Sequence, residues 1–251
     1  SGRLDVATER LSRSWGAIGH LHSVQDSPEL RAAYTAALPR VTDFYTRLGS
    51  DERLYAKYKS IDRTTLNAEQ KQAHAYALRN FVLSGAELTG PEKTRFAAIQ
   101  ERLAELSQKF SEHVLDSTDR WTLNVSAERL IGVPQDVLNA TAEAARAAGV
   151  SGHLLNLKMP CYLPIMQYAQ EHELRQTMFR AYATRASDLW DDPALDNSGL
   201  ITEIVALRQE EAHLLGYANA AEVSLATKMA PNPAHVIDFL RDLARRARPY
   251  A

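Results

Sequence analysis

Cysteine is nearly missing from this chain. Cys161 stands alone among 251 residues, so no internal disulfide can form and no cluster of thiolates can hold a metal. That scarcity fits a reducing compartment, and a cytoplasmic protein is expected. No run of about 18 apolar residues occurs, the length a membrane helix needs, and no membrane partner is expected. An excess of one charge is absent too. Lys and Arg number 29 against 31 Asp and Glu, a formal net charge of −2, which removes any global pull toward nucleic acid or an anionic surface. Arginine is plentiful but scattered around the expected helices, without the basic and aromatic stripe of a nucleic-acid groove.

Short catalytic motifs are equally scarce. The chain has no phosphate loop, no dinucleotide glycine fingerprint and no G-x-S-x-G elbow, and none of its eight histidines has another four residues away. The nearest approach is His172-Glu173-x-x-Gln176. It stops one residue short of the H-E-x-x-H zinc motif, in which two histidines one turn apart hold the metal and the glutamate activates water. On a helical wheel Met178, Ala181, Tyr182 and Arg185 lie within about 80° of Leu174, while His172 and Gln176 fall near the opposite pole. An outward helix face is therefore expected at 172–176. His20 and His22, spaced by two, would point to different sides of a helix. Asp188, Asp191 and Asp192 lack the ligand order and the glycine of a calcium loop, and His113 sits beside an apolar seam that explains it. No residue is assigned a catalytic, cofactor-binding or metal-binding role.

What the chain does have is helical periodicity. Hydrophobic residues at 45% and charged residues at 24% are ordinary globular values. Leu4, Leu11, Trp15 and Ile18 keep a helical spacing that Gly16 and Gly19 interrupt. Ser27-Pro28-Glu29 starts a helix running to about Leu48, a shorter one spans Glu52 to Ile61, and Asn67 with Gln70 forms a capping box for a helix that stops at Gly85. From Pro91 to about Ser117, Phe96, Ile99, Leu103, Leu106, Phe110 and Val114 form one narrow seam, which predicts lengthwise packing against a partner helix. Trp121 to Val125 and His153 to Leu157 alternate like strands and bracket an alanine-rich helix that starts at Pro134 and ends at Gly149. Pro160 and Pro164 read as a lead-in, and Leu189 to Asn197 as an Asp-rich loop. Helices follow at Leu200 to Leu215, at Ala220 to Thr227, and after Asn232-Pro233, where Val236, Ile237, Phe239, Leu240 and Leu243 form the apolar side. The fold class is mainly α, an elongated multi-helix bundle with a minor β-hairpin-like element. Taken alone, it reads as a helical scaffold or binding module.

Several runs add a resemblance. They are His20-Leu21-His22-Ser23-Val24, Ser27-Pro28-Glu29-Leu30-Arg31 with Leu38-Pro39, and Phe81-Val82-Leu83-Ser84-Gly85. Val114-Leu115-Asp116 with Trp121 and Asn124, the nine residues Arg180 to Asp188, and Ser224 to Ala230 continue the series. In this order, over nearly the whole chain, they resemble the N-terminal part of the thimet-oligopeptidase family of zinc metallopeptidases. The resemblance implies the N-terminal lobe of a two-lobed, neurolysin-like protein whose lobes flank a deep channel where short peptides are cleaved. The family's H-E-x-x-H residues and downstream glutamate ligand lie in its C-terminal part, and this chain has no segment that corresponds to them. Residues 1–251 are thus expected to form one helical lobe, with no cofactor of its own and inactive alone; Ser1-Gly2 in place of an initiating Met fits either the scar of a cleaved tag or a chain that begins inside a longer protein. Zinc is expected in the full-length protein, and the partners are short peptides and the chain's own C-terminal catalytic lobe, with no nucleic acid. Such a lobe should expose an apolar patch and self-associate through it. The alternatives are a non-catalytic helical peptide-binding or scaffold protein, and an atypical metal site at His172 and Glu173.

Overall fold

A computed structural model describes residues 2–250; Ser1, half of the opening Ser1-Gly2 pair, lies outside the described residues. The chain divides into two compact units, one made of residues up to Leu106 together with those from Thr202 onward, the other of Ser107–Ile201.

The first unit opens with α1 (Gly2–Val24) and α2 (Pro28–Gly49). Gly16 and Gly19 do not break α1, because packing against α2 outweighs their poor helix propensity. Trp15 stacks on Tyr34 with ring centroids 4.5 Å apart, and Tyr34 stacks on His22 at 4.4 Å. The Ser27 hydroxyl accepts from the Leu30 amide at 3.2 Å, capping α2 as its sequence predicts. After α3 (Glu52–Lys59), two residues shorter than expected, α4 (Ala68–Leu83) carries the full capping box between Asn67 and Gln70. Gly85 ends it in the left-handed region at φ +80°, where a side chain would be strained. A Cβ on Gly49 would come within 2.8 Å of Ser84 Cβ, so a glycine lets the end of α2 lie against the end of α4.

The helix α5 (Gly90–Arg120) buries Phe96, Ile99 and Leu106, as its seam predicts. Its partner is α9 (Ser198–Leu214). Arg95 grips Glu210 at 2.6 and 2.7 Å, and Arg102 grips Glu203 at 2.6 and 2.8 Å. Rising numbers on α5 meet falling numbers on α9, which fixes the two as antiparallel. The unit closes with α10 (Ala220–Leu225) and α11 (Pro233–Ala247).

The second unit holds the last turns of α5 and the first of α9. Between them come β1 (Thr122–Val125), α6 (Gln135–Ala147), β2 (His153–Asn156), α7 (Met159–Tyr168) and α8 (His172–Ala183). The strands pair antiparallel, Thr122 with Asn156 and Val125 with His153. Gly152, at φ +90°, brings the chain so close to β1 that a Cβ would lie 2.5 Å from the Val125 carbonyl oxygen. Leu155 from β2, Ile165 from α7, and Leu174 and Met178 from α8 form the centre of the core. The sequence reading left α7 out. Pro160 sits in its first turn, where the missing N–H is no loss, and Pro164 removes only one ladder bond from a helix that buries Cys161, Tyr162 and Ile165.

Candidate functional site

The residues that look most catalytic lie at the start of α8, and the local structure accounts for each. Glu171, just before the helix, is held by the Arg129 guanidinium at 2.7 to 2.9 Å. That hydrogen bonding holds its carboxyl below the usual carboxylate range. Leu174, Met178 and Ala181 turn inward and are buried; His172, Glu173 and Gln176 turn outward and are exposed. The wheel argument therefore gives the right faces.

The segment Arg180 to Asp188 is shorter in helix than the apolar spacing implies. α8 stops at Ala183, with the Arg180 carbonyl accepting from the Thr184 amide, and Arg185 lies beyond the end. Ala186 then adopts φ +49°, a left-handed conformation uncommon for a residue with a Cβ, and its carbonyl accepts from the Asn197 amide at 3.0 Å. Arg185 closes the turn. Its guanidinium lies 3.6 Å over the Tyr182 ring, its Nε donates to the Tyr182 carbonyl at 2.9 Å, and its Nη1 donates to the Thr118 hydroxyl at 2.9 Å. Tyr182 in turn stacks on Tyr162 at 4.1 Å. The column of Tyr162, Tyr182 and Arg185 is a brace within the unit.

The other candidates are dispersed. His20 is exposed on α1, while His22 is buried against Tyr34 with Nε2 4.0 Å from an Asp26 carboxylate oxygen. Asp192 spends its carboxylate on the Ala194 amide at 3.0 Å and on Arg120 at 2.8 Å, leaving Asp188 and Asp191 exposed beside it. His113 is buried. Among the described residues no group of three or more His, Cys, Asp or Glu is placed to hold a metal ion. The His, Cys, Asp and Glu side chains among the described residues therefore do not fit a zinc centre. No helix among the described residues is long and apolar enough to cross a membrane.

Two features of the first unit stand out instead. The apolar side of α11 is found as its spacing predicts, yet Ile237, Phe239, Leu240 and Leu243 are 47%, 62%, 55% and 52% exposed. The second is a cleft of about 350 Å³ whose lining includes Trp15, Thr42, Tyr45 and Ser84. Nothing in the sequence announces the cleft, because its lining comes from α1, α2, α4 and α5 and shares no motif.

Comparison with known proteins fits this arrangement. Residues 2–93 match the family described as Neurolysin/Thimet oligopeptidase, N-terminal domain, and residues 165–251 match Peptidase family M3. Oligopeptidase A of Salmonella typhimurium is 46% identical over 252 residues, covering 98% of this chain and 37% of the relative. Oligopeptidase A of Escherichia coli is 46% identical, covering 95% and 36%. The probable cytosolic oligopeptidase A of Arabidopsis thaliana is 39% identical, covering 90% and 34%. The mainly α architecture with one small antiparallel strand pair is that of the N-terminal lobe of these peptidases, and the chain belongs to the thimet-oligopeptidase family of metallopeptidases. Within that family its similarity runs along the N-terminal part of oligopeptidase A. The chain spans little more than a third of the length of the curated relatives it matches.

Proposed function

We propose that the chain is the N-terminal lobe of a zinc-dependent metalloendopeptidase that hydrolyses short peptides in the cytoplasm, and that it has no peptidase activity by itself. The observation that carries this reading is the 46% identity to oligopeptidase A along 98% of the chain, over only 37% of the relative. Zinc would be held by residues of the full-length protein outside this chain. The role of the chain's own residues is to wall the peptide channel and to seat the catalytic lobe. The exposed apolar side of α11 supports the second part, because a contiguous apolar helix face in water is what an interface leaves when its partner is absent.

A quenched fluorescent peptide tests the reading. A protein of the relatives' full length that contains this chain should cleave it, with activity removed by a zinc chelator. The 251-residue chain should leave it intact. Chelator-sensitive cleavage by the chain alone would overturn the proposal.

A further inference from the structure

The cleft in the first unit has the size of a small-molecule site. Its volume of about 350 Å³ falls within the range of ligand pockets, about 300 to 1,000 Å³. Trp15, Tyr45 and Phe96 give it aromatic walls, and Thr42, Thr46 and Ser84 line it with hydroxyls. No charged side chain is among its lining residues.

Most of its polar groups are idle; the Tyr45 hydroxyl is the exception among its hydroxyls, 2.9 Å from that of Ser12. Thr8, Thr94, Thr118, Thr177 and Thr184 each return the hydroxyl to the carbonyl four residues back, the usual resting place for a helical threonine. Among the described residues, the hydroxyls of Thr42, Thr46 and Ser84 and the indole N–H of Trp15 make no such bond and have no other protein partner. Gln100 donates its amide to Glu211 at 2.9 Å, which leaves its carbonyl oxygen as an acceptor on the same wall. Stacking on Tyr34 fixes the orientation of the Trp15 indole. Flat aromatic walls with three unengaged hydroxyls that can donate or accept, an indole donor and an amide acceptor suit a ring that carries its own hydrogen-bonding group. The lack of charge on the lining disfavours an ion, whose desolvation nothing would offset.

We infer that this cleft binds an uncharged aromatic ring bearing a hydrogen-bonding group, a phenol or an indole, either free or as the side chain of a peptide. The inference does not depend on the peptidase reading. A single ring of this size binds weakly, with a Kd in the millimolar range.

The test is amide and indole NMR on the 251-residue chain, whose three tryptophans include Trp121 and Trp190 in the other unit. The Trp15 resonance is assigned by its loss in Trp15→Phe. Titration with p-cresol or N-acetyl-tyrosinamide should shift the Trp15 indole N–H saturably and leave those of Trp121 and Trp190 in place, while benzoate should have no such effect. Thr46→Met, which fills the cleft and removes a hydroxyl, should weaken binding by about tenfold or more. Tighter binding of N-acetyl-tyrosinamide than of p-cresol would identify a peptide-borne ring, and equal binding a free one. No saturable shift of Trp15 with either neutral ring, or equal shifts of all three indoles, overturns the inference whether or not the variant folds.

Discussion

Replacing Leu174 by Ala sets the two faces of α8 against each other. Leu174 is 0% exposed and belongs to the same packed cluster as Tyr162, Ile165 and Met178. Removing its branched end takes away the transfer free energy of three carbons and leaves a cavity that a tight core only partly closes, a loss of about 2 to 5 kcal/mol. With a urea m-value of about 1 to 2 kcal/mol/M for a unit of this size, the midpoint should fall by at least about 1 M. His172→Ala, two residues earlier on the exposed face, should stay within about 0.5 kcal/mol of the parent. Tryptophan emission in a Trp15→Phe background reports on the second unit alone, because Trp121 and Trp190 both pack against its core. A Leu174→Ala shift below about 0.5 M, or a His172→Ala shift as large as that of Leu174→Ala, would refute the assignment of the faces.

Three further outcomes are expected. Gly152→Ala should destabilise the second unit by about 1 to 3 kcal/mol in the same urea experiment, since it combines a positive φ with a Cβ 2.5 Å from the Val125 oxygen. The hydrogen bond from the Tyr55 hydroxyl to Glu87, 2.6 Å long, together with burial and the Glu87 charge, pushes the phenol up to about 12. A folded pKa above the unfolded value of about 10 means that this contribution is fully present below pH 10 and is lost as pH rises through about 12. ¹³C-tyrosine NMR should find Tyr55 still protonated at about pH 11, and Glu87→Gln should bring its midpoint down. Sedimentation velocity should show the chain self-associating with rising concentration and Leu240→Glu remaining monomeric; a wild-type monomer throughout would mean that the α11 face does not self-associate.

Where structure is decided locally, the sequence could be read closely. Ser27-Pro28, the Asn67 and Gln70 pair, and Asn232-Pro233 all start helices where expected, and Gly85, Gly149 and Gly216 follow helix ends with positive φ. Where packing overrides propensity, it misled. α1 runs through Gly16 and Gly19 because Trp15 and His22 are pinned to Tyr34, and α7 forms despite two prolines because its apolar residues fill the second unit's core. The end of α8 was illegible for a different reason. Ala186 holds a left-handed turn that a glycine would have announced, and the contacts of Arg185 with Tyr182 and Thr118 come from residues far apart in the chain. Absence of a metal motif at 172–176 followed from one missing ligand and a helical wheel. The cleft beside Trp15 needed coordinates, since its hydroxyls gain meaning only from the bonds they do not make.

Zinc stoichiometry decides whether this chain holds any of the metal of its metallopeptidase family. After dialysis against zinc and removal of free metal, the 251-residue chain should retain essentially none, while a full-length protein containing it retains about one per molecule. Retention of about one zinc by the chain alone, lost in His172→Ala and Glu173→Ala, would contradict the account.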